Sequence, residues 1–158
     1  MSHDDAVRAR FGESAAEFAA HTRSAIEAVR EELRTFLAPL EGDERALDVG
    51  TGAGTLAVAL APLVGEVVGI DLVPELLAQA ERDKPANVTL LEGDATALPF
   101  EAFTFDLACS RRTFHHLGRP ELAMAELARV TKLGGPALGD GQRSPPGPSS
   151  AFSSDSSA

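Results

Sequence analysis

From Arg45 onward the chain alternates short apolar runs with stretches of helical character, in the order RALDV, TLAVALAPL, EVVGI, PELLAQAER and VTLLE. This β-α-β-α-β alternation predicts an α/β fold, a doubly wound parallel sheet. Parallel neighbours need a long return connection, and strands covered on both faces favour continuous apolar runs. FDLAC, Phe105 to Cys109, reads as a fourth strand. A helix then starts near Pro120, a residue suited to a first helical position, and runs to about Thr131, with a turn at Leu133, Gly134 and Gly135.

Two helices are expected ahead of this core. Val7, Phe11, Ala15 and Phe18 form an amphipathic stripe between Asp5 and Ala20. A second helix spans about Thr22 to Ala38, with Ile26, Val29, Leu33, Phe36 and Leu37 on one face, a Ser24/Glu27 capping box and Pro39 at its end. From Gly134 the composition turns to Gly, Pro and Ser, with Phe152 the only aromatic residue, which predicts a disordered tail. The expected organisation is a helical cap over residues 1–40, a core over 41–135 and a tail over 136–158.

A chain of 158 residues fits one domain. No run of about 18 apolar residues is present to cross a bilayer. The N-terminus, MSHDDAVRAR, lacks the apolar centre of a signal peptide and is not acid-poor, so the cytoplasm is the expected compartment. A formal charge of −10 repels phosphate backbones, which favours a small-molecule partner over nucleic acid. Cys109 is the only cysteine, so neither an internal disulfide nor a cysteine-rich metal cluster is expected, and the residue reads as core.

LDVGTGAGTLA, Leu47 to Ala57, joins a strand to a helix through Gly50, Gly52 and Gly54. Glycines without Cβ permit a tight turn and close ligand approach, and the helix start offers N–H groups to an anion. Tight turning and close packing alone are the lesser alternative. The spacing is G-x-G-x-G, distinct from the G-x-G-x-x-G of dinucleotide sites, and Asp48 precedes it. A carboxylate about 4 Å from a pyrophosphate charge would repel it by roughly 4 kcal/mol at an effective dielectric near 20. A zwitterionic amino acid avoids that repulsion, its ammonium near Asp48 and its carboxylate near the loop. Asp71 ends the next strand, where α/β sites place an acid for ribose, although capping the helix near Pro74 is the alternative. Asp94, after the third strand, can accept from an adenine amino group, Ala95 can offer its N–H, and Leu72 can cover the base.

These segments in this order resemble the class I S-adenosylmethionine-dependent methyltransferases, particularly the ubiquinone/menaquinone biosynthesis C-methyltransferases. LDVGTGAGTLA is similar to the family's first motif, GIDLVPELLAQA to its ribose segment and EGDATALPF to its adenine segment. FDLACSRRTFHHL and ELARVTKLGG resemble later landmarks. The resemblance implies a Rossmann-like sheet and S-adenosylmethionine as cofactor. It assigns cofactor roles to Asp48, Gly50, Gly52, Gly54, Asp71, Leu72, Asp94 and Ala95, with Ser110 and Arg111 nearby.

It also implies seven strands, whereas only PAL precedes the polar tail. The C-terminal strands are therefore expected to be lacking, with FDLAC left as a bare edge open to self-association. A truncated or frameshifted gene product is expected from the abrupt change in composition. His115 and His116 are candidate bases, with loop packing or substrate contact as their alternatives, and Arg111 and Arg112 can meet an anionic substrate or solvent. No metal site is expected, because the paired histidines have no further clustered ligand. Three functions remain in play: methyl transfer to a small molecule, a noncatalytic remnant, and a nicotinamide-dependent oxidoreductase, which the glycine spacing disfavours.

Overall fold

The computed structural model describes residues 21–37, 39–110, 118–133, 135, 137–139 and 142–143. A helix over residues 21–36, α1, leads into β1 (Arg45–Val49) and α2 (Thr55–Leu60), which tightens into a 3-10 turn at Ala61–Leu63. β2 (Glu66–Asp71), α3 (Pro74–Arg82), β3 (Val88–Glu92), β4 (Leu107–Ser110) and α4 (Pro120–Val130) follow, then β5 (Ala137–Gly139) and β6 (Gln142–Arg143).

The sheet order is β3-β2-β1-β4-β5-β6, parallel from β3 to β5, with β6 antiparallel to β5. The α/β expectation holds, and RALDV, PELLAQAER and VTLLE form their elements over the expected residues. β1 and β4 are buried at almost every position because helices cover both faces of the sheet, while β3, at the edge, alternates between cover and solvent.

On one face Ala46, Val67, Val88, Leu107 and Cys109 pack with Val29, Leu33 and Leu37 of α1 and Leu56, Ala57 and Leu60 of α2. On the other, Leu47, Val49, Val68, Ile70 and Ala108 pack with Ala123, Leu127 and Val130 of α4 and with Ala95, Leu98 and Phe105. Each fully buried Leu, Ile or Phe among these contributes roughly 1.5–3 kcal/mol by leaving water. The described part of the N-terminal region thus shares its core with the sheet.

Pro74 and Pro120 start α3 and α4 at their first turns, where a missing N–H costs nothing, and each helix carries an acid near its start and an arginine near its end, matching the helix dipole. The Ser24/Glu27 capping box does not form, because α1 is already helical at residue 21 and Glu27 pairs with Arg30 instead. The helix expected between Asp5 and Ala20 lies outside the described residues.

The expectation of a bare β4 edge is corrected. β5 lies parallel beside it, pairing Ala108 with Ala137, Cys109 with Leu138 and Ser110 with Gly139, so the edge from which self-association was expected is occupied there. The segment expected to be wholly disordered therefore contributes residues 137–139 and 142–143 to the sheet, and its remainder lies outside the described residues. Only residues 140–141 separate the two strands, which leaves no room for the further helix of the seven-strand arrangement. A three-residue strand is too short to show periodicity; the unpaired N–H and C=O groups of β4 supply the driving force for its pairing.

Candidate cofactor site

The strand order reverses around β1, whose neighbours are β2 and β4, and the loop after β1 opens at that reversal, where open α/β sheets bind ligands. The parallel registers bring Ser110, Val49, Ile70 and Leu91 into one row, with Asp71 paired to Glu92 one step further. The ends of four strands consequently present their loops along a single edge.

Gly50, Gly52 and Gly54 all adopt positive φ, at 73°, 55° and 91°. At Gly54 a Cβ would also stand 3.1 Å from Ala80 Cβ of α3, whereas at Gly52 it would meet no described residue within 4 Å. The loop is tied to β2. Ile70 O accepts from Gly50 N and Thr51 N at 2.8 and 3.0 Å, and Asp71 Oδ2 accepts from Gly52 N at 2.8 Å. Asp71 Oδ1 accepts from Val73 N at 2.9 Å, while Val73, at the start of α3, has no side-chain cap. Asp71 is thus a brace between loop and strand. The loop amides at Gly50, Thr51, Gly52 and Gly54 are engaged within the protein.

Asp48 is 1% exposed, and its Oδ2 has no hydrogen-bond partner. Burial pushes its carboxyl up to about 7, with the neighbouring Asp71 charge adding to the rise and the Thr51 hydroxyl and Ala57 amide opposing it. The residue missed by sequence reasoning is Thr51. It is buried, and its Oγ1 would lie 2.8 Å from a Cβ placed on Gly69. Gly69 is the register partner of Asp48, so its missing side chain makes the room that Thr51 occupies. A glycine inside EVVGID was the available signal, since glycine in a strand interior marks a close approach.

Asp94 is exposed, and the Thr96 amide and then the Thr96 hydroxyl hold its carboxyl below the usual range through bonds of 2.8 and 2.7 Å to Oδ1. Leu72 is 56% exposed beside Asp71, an apolar surface facing water. Ala95 is buried and packs into the core with Ile70 and Leu98. Ser110, at the end of β4, is buried with an unpartnered Oγ. Arg111, Arg112, His115 and His116 lie outside the described residues. Among the described residues no group of acids, histidines and cysteine is arranged to hold a metal ion. A separate cavity of about 440 Å³ lies between the end of α1, the turn to β1 and Pro62–Leu63, and none of the candidate site residues lines it.

The donor and acceptor set fits a nucleoside carrying an amino acid: a glycine loop, a carboxylate at the end of the next strand, an exposed leucine and acid beyond it, and a buried acid with one oxygen unpartnered. Comparison with known proteins agrees. The family described as "Methyltransferase domain" matches residues 47–138. The uncharacterized methyltransferase YcgJ of Bacillus subtilis is 35% identical over 102 residues, covering 62% of this chain and 40% of its own. A demethylmenaquinone methyltransferase of Thermus thermophilus is 40% identical over 104 residues, covering 63% of this chain and 47% of its own. Among solved structures, a SAM-dependent methyltransferase from Aquifex aeolicus superposes with a TM-score of 0.63 at 30% identity, covering 70% of this chain and 62% of that one. The chain spans about two-fifths of the length of the first curated relatives. With its matched segment running from β1 into β5, more than half of its residues, this chain belongs to the methyltransferase domain family.

Proposed function

We propose that the chain binds S-adenosylmethionine along the carboxyl edge of its sheet and transfers the methyl group to a small-molecule acceptor. The observation that carries this reading is the buried Asp48 carboxyl, its Oδ2 without a partner, beneath the glycine loop, in a sheet whose parallel register aligns Asp71 and the Asp94 turn on the same edge. The bound cofactor supplies the sulfonium methyl. The residues of this chain hold and orient it. Asp71, already fixed by Gly52 and Val73, has remaining lone pairs for ribose hydroxyls; Asp94, with only Oδ1 committed, offers Oδ2 toward a base amino group; and Leu72 covers an aromatic face. Asp48 and Ser110 present unpartnered polar atoms to the amino-acid end.

Arg111, His115 and His116 follow β4 in sequence and are assigned to the acceptor side, with a histidine as base only where the acceptor must lose a proton. The formal charge of −10 argues against nucleic acid as acceptor. Among the described residues no helix is long and apolar enough to cross a membrane, and we place the reaction in the cytoplasm. Self-association, with β4 covered, would pass to a terminal strand of the sheet, β3 or β6 among the described residues.

The second reading is a cofactor-binding remnant without turnover. Titration calorimetry with S-adenosylhomocysteine and with NAD, followed by incubation with a labelled methyl donor and demethylmenaquinone, the compound named for the Thermus thermophilus relative, separates the cases. Methyl transfer requires S-adenosylhomocysteine binding and label in the acceptor. Binding without label fits the remnant, and preference for NAD overturns both.

A further inference from the structure

Four aspartates of this sheet stand in contrasting surroundings. Asp71 accepts from two backbone amides, Asp94 from the amide and hydroxyl of Thr96, and Asp106 from Arg45 N and Lys132 Nζ. Asp48 is more deeply buried than any of these, yet Oδ2 has no partner. Burial penalises a carboxylate far more than a neutral carboxyl, and an unpaired oxygen deepens the penalty.

Among the described residues, the groups packed around Asp48 offer no cation. β2 contributes Gly69 beside it and the negative Asp71 beyond it, and β4 contributes the Cys109 thiol, its register partner, itself pushed up by burial and by the Asp48 charge. α2 contributes the Ala57 amide and the loop contributes the Thr51 hydroxyl. From α1, whose apolar side packs on this face, the guanidinium of Arg30 is committed to Ala59 O, Val58 O and Glu27.

We propose that Asp48 is a proton-exchanging positioning residue: it carries a proton in the ligand-free protein and releases it to solvent when the cationic amino group of the cofactor enters, with the Thr51 hydroxyl supporting the ionised form. This inference rests on the function proposed above and adds its pH regulation. In the balanced step the Asp48 O–H bond breaks, its electron pair stays on the carboxylate, the proton passes to buffer, and the carboxylate pairs with the ligand ammonium. Cofactor affinity therefore falls as the solution becomes acidic, although no group on the ligand titrates there, since an α-amino group keeps its proton below about 7.7.

The test is calorimetric titration of the full chain with S-adenosylhomocysteine at pH 6 in two buffers of different ionisation enthalpy, phosphate and imidazole. About one proton should be released per ligand bound, and affinity should rise nearly tenfold per pH unit between about pH 5.5 and 6.5. Asp48→Asn, with folding checked by its thermal melt, should bind without that release. Thr51→Val should move the pH at which affinity levels off upward. Should Asp48→Asn fail to fold, the buffer and pH dependence of the parent chain decide alone. Equal heats in both buffers with a flat affinity profile, or an unchanged release in Asp48→Asn, would overturn the proton exchange while leaving the cofactor site intact. Absence of S-adenosylhomocysteine binding at every pH would overturn the cofactor reading and this inference together.

Discussion

A carboxyl held at about 7 by burial binds its proton more tightly in the folded chain than in the unfolded one. The contribution of Asp48 to stability is therefore fully present below about pH 4, diminishes as pH rises, and levels off above about 7. Ionisation displaced this far costs on the order of 4 kcal/mol at alkaline pH. Asp48→Asn should thus be more stable than the parent above neutrality, by about 2 kcal/mol once the unpartnered amide is allowed for, with the advantage closing toward pH 5. Urea denaturation at pH 5 and pH 8 measures it. Asp71→Asn should behave oppositely. Both Asp71 oxygens accept from N–H groups, so an Asn NH₂ would face a donor and cost about 1–3 kcal/mol, read as a lower urea midpoint, together with weaker S-adenosylhomocysteine binding. At this scale the sequence displayed Asp48, Asp71 and Asp94 at strand ends because apolar runs expose such acids. It concealed Thr51, whose importance depends on a glycine one strand away, and it concealed that Asp71 already holds Gly52.

Elements with regular apolar spacing and punctuating residues were legible: β1, α3 and β3 match their expected bounds, and Pro120 starts α4. The cap of α1 was not, because Ser24 and Glu27 satisfy a capping pattern that a helix interior also tolerates. β5 and β6 were illegible for a different reason: their pairing comes from the waiting edge of β4, a tertiary cause. Ending the chain after Gly135 should re-expose that edge, lowering the melting temperature and bringing forward the onset of light scattering on heating. Within the loop, Gly52→Ala and Gly54→Ala should separate. The first meets no described residue and costs roughly 1–2 kcal/mol for its left-handed backbone, while the second adds a contact with Ala80 at the α3 boundary and should be the less stable in thermal melts.

For the molecule as a whole, one parallel register places four strand ends in a row, and everything assigned to the cofactor follows from that alignment. The family match covers residues 47–138, the part that builds this row. On the proposed function, recognition of the acceptor is assigned to Arg111, His115 and His116, which follow β4 in sequence. The most direct measurement is hydrogen-exchange protection of the full chain with and without S-adenosylhomocysteine. Slower exchange should appear over Gly50–Thr55, Asp71–Val73 and Asp94–Thr96 together. Unchanged exchange at these three segments, or protection centred on the separate cavity at Leu37–Gly42 and Pro62–Leu63, would contradict the assignment of the carboxyl edge as the cofactor site.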